Sequence, residues 1–212
     1  MIDETLLKKE ARELLQMKER VRGGILKTHF YYIQQMQGEK GLDEVKKKLK
    51  ELGCLIDLGK ISSVDWYPIG VDPLIILVAK ELFLWQDQEI FNMGSSAPKY
   101  SFTFKFISPH YFTTLEKLSL KVAQKIASDV LRKHYTIGSI KITKFKVNVP
   151  REEKEGIIKI ENFKVHPILC HFFQGYIFRM IQFITGEKDI MVQETKCPFK
   201  GDSYHEFIIK KR

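Results

Sequence analysis

Apolar positions recur at helical spacing through the first half of the chain and alternate through much of the second. Among the charged residues 2 to 20, Leu6, Leu7, Leu14 and Leu15, with Val21 beyond, predict a helix broken by Gly23-Gly24. A second helix, rich in aromatics, is expected from Ile25 to Met36, closed by Gly38 and Gly41. Leu42 to Leu52 reads as a lysine-rich amphipathic helix ended by Gly53. After a turn segment at Trp66-Tyr67-Pro68, Pro73 fits the first turn of a helix reaching Leu84. Gln88 to Met93 predicts a neighbouring helix stopped by Gly94-Ser95-Ser96.

From Lys99 to Ile107 the pattern switches to strict alternation, with Tyr100, Phe102, Phe104 and Phe106 on one face of extended structure. Leu115, Leu118, Val122, Ile126 and Val130 then trace the stripe of a long helix, and one more step of four reaches His134. The remainder reads as two β-hairpins around one helix. GSIKITKFKVNV and GIIKIENFKV flank a charged turn, and both change parity midway, which predicts bulges. Pro167 opens a helix with Ile168, Leu169, Phe172, Phe173, Tyr176, Met180 and Ile184 on its apolar face, ended by Gly186. The last hairpin pairs EKDIMVQETK with SYHEFIIKK. The fold class is therefore α+β, with N-terminal helices packed on an antiparallel sheet formed mainly by two C-terminal β-hairpins around one helix. Residues 1–110 are expected to form a helical N-terminal region of the same unit as an α+β domain over 111–212.

Composition narrows the class without changing this picture. With 44% hydrophobic and 29% charged residues in 212, the chain is of globular type and long enough to bury a sizeable core. No apolar run approaches the roughly 20 residues of a membrane span, and the charged start has no signal-peptide apolar region, so a cytoplasmic protein is expected. The net charge of +9 is spread as lysines interleaved with glutamates, a solvated surface rather than a nucleic-acid footprint. Three cysteines do not make a disulfide framework and leave metal binding open.

Candidate chemistry gathers at the end of the chain, in QETKCPFKGDSYHEF. Strand parity puts Glu194 on one face with Ile190 and Val192, and His205 on one face with Phe207 and Ile209. Both therefore point to the apolar side, where an unpaired carboxylate is costly and a cation offsets that cost. Cys197 lies in the connection, and Cys170 lies on the buried edge of the preceding helix. Two thiolates, an imidazole and a carboxylate suit tetrahedral zinc, and four protein ligands describe a structural site. The plainer alternative is a buried cysteine beside a cross-strand polar pair.

CHFFQGY at 170–176 and VQETKCPFKGDSYHEF at 192–207 resemble the C-terminal half of the 4-vinyl reductase domain family. The match falls on Cys170, Gly175, Glu194, Cys197, Gly201, Asp202 and Phe207, with His205 standing where the family usually has cysteine. The resemblance implies a structural zinc held by Cys170, Glu194, Cys197 and His205. It also implies kinship with a wider superfamily that includes haem–nitric-oxide-binding domains and a transport-complex subunit. HYTIGSIKI at 134–142 resembles the stretch where sensor members place a ligand-bonding histidine, which implies that role for His134. A tryptophan that those sensors use on the next strand is missing here, so an aromatic or apolar ligand other than phenol is implied.

The function expected is a stand-alone sensory domain, with Phe102, Phe106, Phe145, Phe173, Tyr176 and Met180 as the wall of an apolar pocket. The alternative is an adaptor of the same fold acting through protein contacts. With no output domain in the sequence, a homodimer or a regulatory protein partner would carry the signal. Enzymatic readings are weaker, since there is no phosphate loop, nucleophile elbow or HExxH. A haem role through His110 or His134 lacks the Tyr-x-Ser-x-Arg signature of haem–nitric-oxide sensors.

Overall fold

The computed structural model describes residues 4–100, 120–145 and 155–211. Helix α1 (Glu4–Leu15) is followed by a short strand β1 (Arg20–Arg22), α2 (Gly23–Glu51), β2 (Trp66–Pro68), α3 (Val71–Phe83) and α4 (Asp87–Tyr100). Helix α5 (Leu120–His134), strands β3 (Ser139–Phe145) and β4 (Glu155–Glu161), α6 (Ile168–Thr185), β5 (Ile190–Lys196) and β6 (Tyr204–Lys211) complete the order. The four later strands form one antiparallel sheet in the order β3-β4-β6-β5. The two expected hairpins therefore join through β4 and β6, and the expected α+β architecture is observed.

Alternation sets the inner face of this sheet. Ile158, Ile160, Ile190, Val192, His205, Phe207 and Ile209 are all buried. They meet α6 and continue into a core that takes in Leu7, Leu26, Ile33, Leu74, Ile75 and Ile90 from the helices. Of the expected bulges, β3 shifts register between Ile142 and Lys144, whereas β4 pairs regularly with β6. A further shift falls between Glu194 and Lys196 in β5.

Several boundaries differ from the sequence reading. The first helix ends at Leu15, because Arg20–Arg22 pairs instead with Trp66–Pro68 as a ribbon. Gly23-Gly24 does not break a helix but opens one: a Cβ at Gly23 would lie 2.1 Å from the Ser62 carbonyl oxygen, so only glycine fits under the ribbon. The break expected at Gly38 is a kink, with φ of 69°, between two helical stretches of α2. Gly94-Ser95-Ser96 does not stop α4, which runs on to Tyr100, so the strand expected from Lys99 begins inside a helix. Its remaining residues, 101–107, lie outside the described residues. Gly94 is instead a packing device. A Cβ there would sit 2.0 Å from the Phe172 carbonyl oxygen, and one at Gly175 would sit 1.9 Å from that of Phe91. Helices α4 and α6 thus cross backbone to backbone, which fixes the position of Cys170 and Phe172.

Candidate metal centre

Helix α6 starts after Pro167, and its first turn is tied by the Ile168 N–H donating to His166 Nδ1 at 3.1 Å. Cys170 lies in that turn and is buried. Strand β5 brings Glu194 beside β6. A single-turn 3-10 helix, Pro198–Lys200, makes the connection, and Gly201, with φ of 99°, turns the chain. The Cys197 N–H donates to Asp202 Oδ2 at 2.8 Å, and the Lys200 and Asp202 N–H groups return to the Cys197 carbonyl at 2.9 and 3.2 Å. Asp202 therefore closes the loop around Cys197 and holds its thiol inward, 3% exposed.

The four side chains converge. One ligand atom from each of Cys170, Glu194, Cys197 and His205 lies within 4.8 Å of every other. Cys170 Sγ is 3.5 Å from Cys197 Sγ and 3.8 Å from His205 Nδ1, and that nitrogen is 2.8 Å from Glu194 Oε1. Ligand–metal bonds of about 2.0–2.3 Å in a tetrahedron separate neighbouring ligand atoms by roughly 3.3–3.8 Å. The sulfur contacts match that spacing, and the Glu194–His205 contact is tighter.

The tautomer of His205 is set from outside the cluster. Its Nε2–H donates to the Phe163 carbonyl at 2.9 Å, which leaves Nδ1 as a lone pair facing the thiols. This backbone anchor is the usual outer-shell arrangement of a metal-bound imidazole. Without a proton or a cation, that lone pair would face a carboxylate oxygen at hydrogen-bond distance. Burial, then the Glu194 charge and Cys197, push the Cys170 thiol far above its ordinary range. Two buried thiols and a carboxylate so close cannot all be anionic unless a cation balances them. The donor set and its surroundings fit zinc.

Of the pocket residues expected from sequence, Phe173, Tyr176 and Met180 lie among the described side chains. Phe102 and Phe106 lie outside the described residues, as does His110, and the side chain of Phe145 is not among those described. Phe173 and Tyr176 gather around Tyr135. The Phe173 ring centroid is 6.3 Å from that of Tyr135 and 5.1 Å from that of Phe163. Burial, then the Asp72 charge and Tyr176, push the Tyr135 hydroxyl well above its ordinary pKa. Met180 is half-buried further along α6. His134, one residue from Tyr135, faces the ribbon side. Burial, with Lys133 and Arg22 nearby, brings its pKa down to about 4, and its Nδ1 is buried without a hydrogen bond among the described residues.

Sequence reasoning missed a second buried polar group. His29, on α2, is wholly buried and bonds through Nε2 to Asp72 Oδ1 at 2.5 Å, and the Tyr135 hydroxyl donates to Asp72 Oδ2 at 2.8 Å. Residues 43 and 63 positions apart carry no local signal. The one hint is a histidine in the apolar stretch HFYYI.

No protein-family model matches this chain, and no curated protein sequence does. Solved structures do. An H-NOX protein from S. oneidensis in the Fe(II)NO ligation state aligns with a TM-score of 0.59 at 14% identity, over 90% of this chain and 99% of that one. An Fe(II) form of an H-NOX protein from S. oneidensis, carrying three substitutions, gives 0.61 at 13%, over 90% and 96%. An oxygen-binding H-NOX domain related to soluble guanylate cyclases gives 0.56 at 19%, over 90% and 95%. The fold is H-NOX-like. At such identities the likeness speaks for the fold alone.

Haem features in another of these H-NOX structures, and most of the described histidines are already engaged. His29 is bonded to Asp72 with the Phe172 ring 4.9 Å away, and His166 caps α6. His171 pairs with Asp87 and His205 belongs to the thiol cluster. His134 lies beside Arg22 of the ribbon. His110, the other histidine considered for haem, lies outside the described residues.

Proposed function

We propose that the chain is a small-molecule-binding regulatory domain whose last hairpin is fastened to α6 by one structural zinc. Cys170, Glu194, Cys197 and His205 are its ligands. The observation that carries the metal reading is the convergence of four buried or half-buried donors within 4.8 Å, with the His205 lone pair turned toward the thiols. Two sulfurs, a nitrogen and an oxygen form a closed tetrahedral set, so the ion braces the fold and activates no water. Zinc bound there would keep both thiols deprotonated and separate Glu194 from His205.

The ligand is an aromatic or apolar molecule, taken up where the helical layer meets the sheet. Support comes from the aromatic lining of that junction, Phe163, Phe172, Phe173, Tyr135 and Tyr176, and from a fold otherwise seen in small-ligand domains. Phe102, Phe106, Phe145, Phe173, Tyr176 and Met180 remain the proposed wall and His134 a contact at its edge. A homodimer or a regulatory protein would transmit the state. The adaptor reading has its own support in Leu55, Val64 and Leu84, apolar residues 94%, 71% and 66% exposed. Among the described residues no helix is long and apolar enough to cross a membrane.

Native mass spectrometry of the purified protein, set against its denatured mass, tests both halves of this reading. An excess of one zinc supports the site, and an additional organic mass supports the ligand. Protein of bare polypeptide mass, under conditions that keep other structural zinc sites loaded, overturns the zinc proposal.

A further inference from the structure

We infer that the Nδ1 atom of His29 is the hydrogen-bond acceptor for a small neutral molecule carrying a hydroxyl group on an apolar body. This deepens the ligand-binding reading above and rests on it. His29 and Asp72 are both 0% exposed, and both Asp72 oxygens are engaged, one by His29 Nε2 and the other by the Tyr135 hydroxyl. A carboxylate oxygen accepts, so Nε2 carries a proton, and in the neutral ring Nδ1 is then a lone pair. That nitrogen is buried and has no hydrogen-bond partner among the described residues. Unpaired buried acceptors are rare in folded proteins because each forfeits the hydrogen bond that water gave it. Here the carboxylate behind the ring also makes the far nitrogen a stronger acceptor, as it does for metal-bound imidazoles. An Asp–His pair aimed into an apolar interior is thus a polarised acceptor waiting for a donor.

The surroundings select the donor. The His29 ring meets Phe172 edge to face at 4.9 Å, and the aromatic series runs on through Phe173, Phe163 and Tyr135. A cation would need a counter-charge, and Asp72 is already engaged. An amide would add a carbonyl, for which the phenylalanine rings offer no donor. A hydroxyl on a hydrocarbon body satisfies Nδ1 and buries the rest against rings. The Phe172 ring, 2% exposed, fills the place beside His29, so uptake requires that ring to turn aside. His29, rather than His134, is then the polar anchor of the interior.

Benzyl alcohol and toluene, alike in shape but for the hydroxyl, are the probes, used on the full-length zinc-loaded protein. Long-range proton–nitrogen NMR reads the His29 ring nitrogens, and titration gives the affinity of each probe. The expected result is an unprotonated Nδ1 in the free protein whose resonance moves saturably with benzyl alcohol. The alcohol should bind about tenfold or more tightly than toluene, a difference of roughly 1.4 kcal/mol or more. Phe172→Leu should tighten both probes by opening room, and His29→Gln should erase the preference between them. The wild-type spectrum decides the matter even if neither variant folds. Equal affinities, or saturable binding that leaves Nδ1 unmoved, overturn the His29 anchor while the ligand-binding reading stands. Binding of neither probe counts against both, and an Nδ1 already protonated in the free protein removes the acceptor and the inference with it.

Discussion

The proposed metal ligands are the most legible residues in the sequence, because the hairpin that carries three of them is local. Strand parity alone places Glu194 and His205 on the apolar side, and the register that pairs Glu194 with Phe207 keeps them there. What fixes them is not legible in that way. The Phe163 carbonyl behind His205 and the Asp202 carboxylate behind the Cys197 N–H both depend on how loops close. Cys197→Ser should release the zinc and lower the melting temperature by about 5–10 °C, if the ion stabilises the fold by a few kcal/mol. Thermal scans with a zinc-sensitive dye check this, and unchanged melting with no metal released would count against the site. A second residue-scale effect concerns His166, whose Nδ1 caps α6 and whose burial lowers its pKa to about 4. Between an unfolded value of about 6.5 and the folded value near 4, the unfolded chain binds a proton that the folded chain refuses. Stability contributed by this group is therefore present above about pH 6.5 and lost as pH falls toward 4. His134, lowered to about 4 by burial, acts in the same direction. Urea midpoints between pH 7 and pH 5 should fall less for His166→Gln than for the wild type. An equal fall in both assigns the acid sensitivity elsewhere.

Elements are legible wherever periodicity alone decides them and misleading where glycine does. The stripe of α6 and the alternation of β6 run unbroken, and both elements stand where the pattern places them. Gly94 carries a stop signal in sequence but serves a packing need, a requirement visible only once α6 lies across it. The same chemistry, absence of a Cβ, supports opposite readings, and tertiary contact decides between them. This makes a sharp prediction for the α4–α6 crossing. Gly175→Ala would place a methyl group 1.9 Å from the Phe91 carbonyl oxygen and 2.9 Å from the Ser95 nitrogen, backbone atoms that cannot swing away. The two helices would have to separate, and overpacking of this kind costs about 1–3 kcal/mol. Chemical denaturation should show that loss, against a Gly186→Ala control. Gly186 has a positive φ but meets nothing within 4 Å, so the control reports backbone strain without a clash. Equal losses in the two variants would mean that the helices do not cross backbone to backbone.

At the scale of the whole molecule, the question is whether the helical and sheet-bearing halves unfold together. Their buried residues form one continuous cluster, from Leu7 in α1 to Ile209 in β6. Three polar ties add to it. Asp72 of α3 joins His29 to Tyr135, Val21 of the ribbon bridges to Tyr135, and the Thr136 N–H donates to the Arg20 carbonyl at 3.0 Å. Breaking the pair at Asp72 would leave an imidazole and a phenol without their acceptor in the interior, a cost of about 1–3 kcal/mol for each. The chain supplies its own reporters for a test of cooperativity. Both tryptophans, Trp66 and Trp85, lie in the first half, whereas all four proposed zinc ligands lie in the second. Urea unfolding followed at once by tryptophan emission and by zinc release to a chelating dye should give coincident midpoints for the wild type. In Asp72→Ala both transitions should move to lower urea together, because the tie crosses between the halves. If tryptophan emission changed first while zinc stayed bound, the sheet and α6 would be a unit stable without the helices. The shared core would then be an interface between two separately folding parts.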